Sequence, residues 1–392
     1  MDIAWSSPRD AGLNPDRLAK LADTLQAQID RRRLPGAVAM IGRRGRVAWT
    51  HVAGELVPGS GVPMREDALF RIFSMTKPIV SVAIMMLVED FRIRLADPLE
   101  RYVPEFARAT VLVEDERGVR EEPLARPITV QDLLRHTSGL TYDFVGTREI
   151  HRRYAQAKLH EPTQDNAEQA RRLAALPLAH QPGARWEYSR STDMLGRLVE
   201  IVSGQTLGAF LRERILEPLG MPDTAFHVAA GHEHRIADPY PIDPDSGGAV
   251  KLFDPRRVPN FESGGGGLMS TMADYTRFLR MLAGGGRLDG ARLLSRDTLA
   301  FMTADHLGDI PHDAPQLPPG HGFGLGFAVR THPGLAPLPG AVGSFFWGGI
   351  AGTTFWVDPA RELFAAMMVQ APMQRDELRM LFRTMVYAAL DD

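Results

Sequence analysis

Ser74 and Lys77 stand three residues apart in Arg71-Ile72-Phe73-Ser74-Met75-Thr76-Lys77-Pro78. On a helix this spacing puts both side chains on one face, about 5–6 Å apart at Cβ, so hydroxyl and amine can touch. A serine hydroxyl is a weak nucleophile until a neighbouring base takes its proton. An amine is such a base only if burial or another cation pushes its pKa down. Ser-x-x-Lys offers this pairing. Pro78 sets the local frame, because its ring clashes with the carbonyl four residues back. The helix must therefore begin at or just after Ser74, where unpaired N–H groups and the positive dipole end favour negative charge. Lysine usage points the same way. Of 45 basic residues only Lys20, Lys77, Lys158 and Lys251 are lysines, and 41 are arginines. A lysine kept in such a chain suits what guanidinium cannot do, which is to lose a proton near neutral pH.

Two further segments carry candidate chemistry. Tyr188, in Trp186-Glu187-Tyr188-Ser189, projects from a loop ahead of a helix that begins at Ser191. It either relays a proton between serine and leaving group or simply packs on Trp186. In Gly343-Ser344-Phe345-Phe346-Trp347-Gly348-Gly349-Ile350, glycines at a strand edge let a substrate approach the backbone. An N–H there, with that of Ser74, would make an oxyanion hole; alternatively the glycines only soften a turn. Other motifs fall away. No Gly-x-Ser-x-Gly elbow occurs. His232-Glu233-His234 lacks the i, i+4 spacing of two helix-borne zinc ligands. His136 is expected to hydrogen-bond within the Thr137-Ser138-Gly139 turn. Gly264 to Gly267 lacks the lysine of a phosphate loop.

With these blocks in view, the chain resembles the serine β-lactamase superfamily, specifically class C β-lactamases and the related family VIII carboxylesterases, over roughly residues 10–390. The resemblance implies Ser74 as nucleophile, Lys77 as its lysine and Tyr188 as the tyrosine of the second motif. It implies Trp347-Gly348-Gly349 as the substrate-binding third motif, and the N–H groups of Ser74 and Ile350 as oxyanion donors. Leu133-Leu134-Arg135-His136-Thr137-Ser138-Gly139-Leu140, Pro218-Leu219-Gly220-Met221 and Gly264 to Ser270 are similar to further family blocks. Two departures bear on substrate. Trp347 stands where β-lactamases carry the lysine of Lys-Thr-Gly that attracts the antibiotic carboxylate. Arg190 replaces the asparagine that follows the tyrosine by two residues. Both changes favour uncharged esters over β-lactams, with an aromatic wall at Trp347 and with Phe345 and Phe346 nearby.

The elements that must hold these groups are readable in outline. Asn14-Pro15 opens an amphipathic helix over 15–31, which the cations Arg31-Arg32-Arg33 close. Ala37 to Ile41 and Val47 to Ala53 read as a hairpin. Helical spacing recurs at 79–90, 129–135, 166–175, 192–203 and 206–216, with Gly204 as a C-cap. Residues 227–262 read as a long loop. A helix over 272–283 is followed by strands at Phe323 to Arg330, Ala341 to Phe346, Thr353 to Val357 and Leu363 to Val369, then by a last helix over 374–390. The expected fold is of α/β (α+β) type, like that of β-lactamases and penicillin-binding proteins. An antiparallel sheet built from both termini (1–75 and 263–392) is flanked by helices, with a mainly helical insertion over 76–262.

The 392-residue composition excludes other classes. Hydrophobic residues are 44% and charged residues 24%, as in ordinary globular domains, and 48 acids against 45 bases leave a net charge of −3. No basic surplus suits nucleic acid. The absence of cysteine removes thiol nucleophiles, disulfides and cysteine–zinc sites. The start, Met1 to Ser6, has no secretory pattern, and Ile79 to Val88 is half a bilayer span. The expectation is a cytoplasmic serine carboxylesterase acting on a small ester through an acyl-enzyme, with no metal or cofactor, no membrane and no nucleic-acid partner. A β-lactamase, D-amino-acid peptidase or acyltransferase on the same scaffold, or a non-catalytic binding member, is the alternative.

Overall fold

The structure, a computed structural model, describes residues 4–159, 161, 163–312 and 314–391. The first three residues of the segment read against a secretory signal, Met1 to Ile3, lie outside that range. In chain order the elements are α1 (Pro15–Asp30), β1 (Gly36–Arg43), β2 (Arg46–Gly54), β3 (Phe70–Arg71), α2 (Thr76–Glu89), β4 (Thr110–Asp115), β5 (Gly118–Pro123), α3 (Val130–Leu134), α4 (Glu149–Gln156), α5 (Asn166–Ala174), α6 (Ser191–Ser203), α7 (Leu207–Leu211) and α8 (Glu217–Leu219). There follow β6 (Met269–Ser270), α9 (Met272–Ala283), β7 (Arg287–Leu288), β8 (Ala291–Arg292), α10 (Arg296–Met302), β9 (His321–Phe323), β10 (Ala328–Arg330), β11 (Phe345–Gly348), β12 (Thr354–Asp358), β13 (Leu363–Val369) and α11 (Arg375–Ala388).

The main sheet has seven strands in the order β2-β1-β13-β12-β11-β10-β9, all neighbours antiparallel, so the N-terminal hairpin completes a sheet whose other strands come from the C-terminal third. Both faces are covered. Ala37, Ala39 and Ile41 of β1 and Ala365, Met367 and Val369 of β13 face α1 and α11, meeting Leu21, Leu25, Phe382 and Val386. Their alternates, Val38, Met40, Phe364, Ala366 and Met368, join a second core with α2 and α9. Because side chains alternate across a strand, this double burial explains why all seven residues of β13 are buried.

Two terminal signals are realised directly. Asn14 caps α1, its side chain accepting from the Asp16 and Arg17 amides, and Gly204 ends α6 in the left-handed region at φ 77°. The single strand expected over Phe323 to Arg330 is instead the pair β9 and β10, folded back with Ala328 opposite Phe323. The helix expected over 206–216 is α7 continued by a π-type turn at 212–216.

The helix α2 is the centre of the molecule. Every residue from Thr76 to Leu87 is buried, as expected of a helix apolar all round. No described helix is long and apolar enough to cross a membrane.

Candidate active site

Ser74 is delivered by a short, tightly held segment. The strand β3 pairs with β6, Phe70 opposite Ser270 and Arg71 opposite Met269. The buried Arg71 guanidinium donates to the carbonyls of Ala237 and Phe253 at 3.0 and 2.7 Å. The chain then turns at Phe73, whose φ of 44° is uncommon for a residue with a side chain. Phe73 to Met75 form one 3-10 turn before α2 begins at Thr76, which places Pro78 harmlessly in the first helical turn. The Leu268 amide donates to Thr76 Oγ1 at 3.1 Å, and Tyr275 Oη of α9 donates to the Met75 carbonyl at 3.0 Å. Ser74 Oγ lies 3.3 Å from Lys77 Nζ, the contact that the three-residue spacing predicts.

Tyr188 meets them from the opposite side, with Oη 2.6 Å from Ser74 Oγ. The two readings of this residue are compatible. Its ring stacks near Trp186 with centroids 6.4 Å apart and also packs on Tyr142, Trp347 and His136 at 5.1–5.3 Å. The loop is anchored from behind by buried hydroxyls. His136 Nδ1 is 2.9 Å from Ser189 Oγ, Ser189 Oγ is 2.8 Å from Ser191 Oγ, and Ser191 Oγ is 2.8 Å from Ser138 Oγ. His136 thus bonds across 53 residues to the tyrosine loop rather than within its own turn. Burial and the nearby Lys77 charge hold its pKa well below the ordinary histidine value, so it stays a neutral brace for the Tyr188 ring.

Three participants have no counterpart in the sequence reading: Tyr142, Gly265 and Asp193. Lys77 Nζ donates to the Gly265 carbonyl at 2.6 Å and lies 3.1 Å from Tyr142 Oη. Asp193, buried in the first turn of α6, accepts from Ser263 Oγ at 2.7 Å and from the Gly265 amide at 2.8 Å, which anchors the peptide just before the one whose carbonyl faces the lysine. Their only forewarning is that Tyr142 closely follows the Leu133 to Leu140 block and Gly265 sits in the Gly264 to Ser270 block.

This setting changes the expected charge of Lys77. An ammonium has three N–H donors, and Nζ has three acceptors within reach: Ser74 Oγ, Tyr142 Oη and the Gly265 carbonyl. It also lies over the rings of Tyr188 and Tyr142 at 4.6 and 5.3 Å. Burial pushes the amine pKa down, but Tyr142, Tyr188 and Asp193 push it up further, and the net direction is upward. The three acceptors and two rings around Nζ suit an ammonium, whereas the Ser-x-x-Lys reading calls for a neutral amine.

The third motif closes the site. Trp347 is buried against Tyr188 and Phe323 at ring distances of 5.3 and 5.4 Å. Its neighbours do not extend it into a wall. Phe345 packs inward on Phe327, while Phe346 points to the other face of the sheet, against His321 and Arg383, as strand alternation requires. The apolar groups that reach solvent here are Ile350 and Phe144, the latter stacked 4.7 Å from Tyr142. The glycines serve packing. A Cβ on Gly348 would lie 2.6 Å from Arg379 Nη2, and one on Gly349 would lie 2.5 Å from the Ile72 carbonyl. Arg190 is buried 5.1 Å from the Tyr142 ring, near Asp143 and Asp193, so it is held by neighbouring groups of the fold. His234 Nδ1 meets the Gly231 carbonyl. Among the described residues no group of three or more His, Cys, Asp or Glu could hold a metal ion.

Ser74, flanked by lysine and tyrosine in the turn before α2, is the candidate nucleophile of a serine hydrolase, and the comparisons agree on that class of enzyme. The family model described as Beta-lactamase matches residues 21–387, and the chain belongs to that family. Protein Rv1367c of Mycobacterium tuberculosis is 39% identical over 348 residues, covering 86% of each chain. Esterase EstB of Burkholderia gladioli is 33% identical over 410 residues, 96% of this chain and 99% of that one. The solved structure of EstCE1, a hydrolase with promiscuous acyltransferase activity, superposes with a TM-score of 0.78 at 26% identity, over 95% of this chain and 99% of the other.

Proposed function

We propose that the protein is a serine carboxylesterase acting on short-chain or uncharged esters through an acyl-enzyme on Ser74. The observation that carries this is the pair of contacts on Ser74 Oγ, from Tyr188 Oη at 2.6 Å and Lys77 Nζ at 3.3 Å. Tyr188 acts in its phenolate form: Ser74 Oγ attacks the ester carbonyl as its proton passes to Tyr188 Oη, which leaves a neutral phenol and puts the negative charge on the carbonyl oxygen. Lys77 remains an ammonium and stabilises the phenolate charge. This moves proton acceptance from the lysine, where the Ser-x-x-Lys spacing put it, to the tyrosine. The N–H groups of Ser74 and Ile350 hold the tetrahedral oxyanion. Tyr188 then returns its proton to the departing alcohol, and water cleaves the acyl-enzyme by the same route.

Substrate class follows from what lines the third motif. Trp347 offers no cation to a carboxylate, and Phe144 and Ile350 present apolar surface beside the site. The similarity to Esterase EstB supports the ester reading, and that to EstCE1 supports a second activity, transfer of the acyl group to an added alcohol. The test compares kcat/KM for short p-nitrophenyl esters, nitrocefin and a D-alanyl peptide in wild type and Ser74→Ala. Ester turnover that disappears in the variant is expected; turnover that survives, or nitrocefin as the better substrate, refutes the reading. Product analysis with added alcohol measures transfer.

A further inference from the structure

The end of β11 is gripped from behind by an arginine of the last helix. Arg379 Nη2 donates to the Gly349 carbonyl and also to the Thr353 carbonyl at 3.2 Å. These two carbonyls close the turn at the strand's end, where the Gly349 amide donates to Thr353 at 2.8 Å and the Gly352 amide donates to Gly349 at 3.0 Å. The guanidinium fits there because position 348 is glycine: a Cβ would lie 2.6 Å from Nη2 and 2.8 Å from Cζ. Its acidic neighbour is weak, an exposed Asp376 carboxylate 3.5 Å from Nη1. Burial lowers the Arg379 pKa to about 10, which still leaves it a cation at neutral pH.

The carbonyl it grips belongs to the same peptide unit as the Ile350 N–H. A trans peptide is planar and directs its C=O and N–H in opposite directions, and no described peptide is cis. Holding the Gly349 oxygen therefore sets the direction of the Ile350 N–H. A charged donor on that oxygen also polarises the amide and strengthens its N–H as a donor. The turn abuts the nucleophile segment, with Thr353 Oγ1 donating to the Ile72 carbonyl at 3.3 Å.

We propose that Arg379 is a positioning residue for the oxyanion site, aiming and polarising the Ile350 N–H through its bond to the Gly349 carbonyl. The inference rests on the reading of Ile350 as an oxyanion donor. Gly348, where Lys-Thr-Gly has its threonine, makes the room for this guanidinium.

The experiment measures kcat and KM on a short aryl ester, and affinity for a boronic acid that forms a tetrahedral adduct on serine, in Arg379→Met and Arg379→Lys. Removing an oxyanion donor costs about 10²–10³ in kcat; a donor left misaligned is expected to cost about tenfold to a hundredfold. The adduct should weaken by the same factor, with KM nearly unchanged. Arg379→Lys, which can still reach one carbonyl, should recover part of the loss, as should methylguanidinium added to the methionine variant. Wild-type kcat in a folded Arg379→Met, or a change confined to KM, overturns the proposal. If that variant does not fold, Gly348→Ala, which displaces the guanidinium while keeping it, must show the same kcat loss, and unchanged kcat overturns the proposal. Failure here alongside an inactive Ser74→Ala removes only the Arg379 role, whereas an active Ser74→Ala removes the esterase reading.

Discussion

Replacing Lys77 by methionine removes the one charge that makes a tyrosine base workable, while an unbranched side chain still fills the buried stem. Lys77 Nζ lies 4.6 Å from the centre of the Tyr188 ring. At an effective dielectric constant of about 20, a unit positive charge at that distance stabilises a phenolate by about 3.6 kcal/mol. Losing it lowers the fraction of Tyr188 that is available as a phenolate base, and so slows acylation by a factor of up to about 400. The assay is kcat/KM for a short p-nitrophenyl ester near neutral pH, with the melting temperature recorded to confirm folding. Lys77→Arg should be damaged nearly as much, because a guanidinium does not fit among the Ser74, Tyr142 and Gly265 oxygens at 2.6–3.3 Å. A folded Lys77→Met enzyme within a few fold of wild type would refute the electrostatic role. The complementary observation uses the scarcity of lysine: with four in the chain, nitrogen NMR of labelled lysine resolves each Nζ. An ammonium signal from Lys77 at neutral pH is expected, and a neutral amine would return proton acceptance to the lysine.

Two other outcomes follow. Tyr188→Phe should lose about 10²–10⁴ in kcat, the usual contribution of a positioned acid–base group, with little effect on KM; normal kcat would remove Tyr188 from the proton path. Asp132 is buried, and burial alone would raise its pKa, but bonds from Arg126, Thr129 and Thr137 outweigh this and hold it at about 2, below its ordinary 3.8. A depressed carboxyl pKa stabilises the fold fully above the ordinary value, and the gain is lost as pH falls towards 2. Asp132→Asn should therefore cost about 2 kcal/mol at neutral pH and less at low pH, read from urea unfolding at several pH values.

The residues that declared themselves in the sequence did so through local physics. Pro78 fixed where α2 could begin, Asn14 and Gly204 marked helix ends, and the Ser74–Lys77 contact needed only helical spacing. The N-terminal hairpin and β13 were legible as apolar runs. Features set by distant partners were not. Tyr142 and Gly265 meet Lys77 across 65 and 188 residues, and no local pattern marks them. The strands β4 and β5 escaped because Glu114-Asp115-Glu116-Arg117-Gly118 and Arg120-Glu121-Glu122 read as solvated charge, with Val111 and Leu112 alone buried in the pair. The helix α4 hides its apolar stripe in Ile150 and Tyr154 among arginines. The charge of Lys77 is beyond local reading for the same reason: spacing reports proximity to Ser74, whereas protonation depends on groups from other parts of the chain.

One covalent bond, between Ser74 Oγ and the acyl carbon, is central to the proposed chemistry. Intact-protein and peptide mass spectrometry on enzyme quenched during turnover of a slowly hydrolysed ester measures it directly. The expected result is a mass increase of one acyl group, mapped to Ser74 and absent in Ser74→Ala. Turnover with no adduct, or an adduct on another residue that persists in Ser74→Ala, would contradict it.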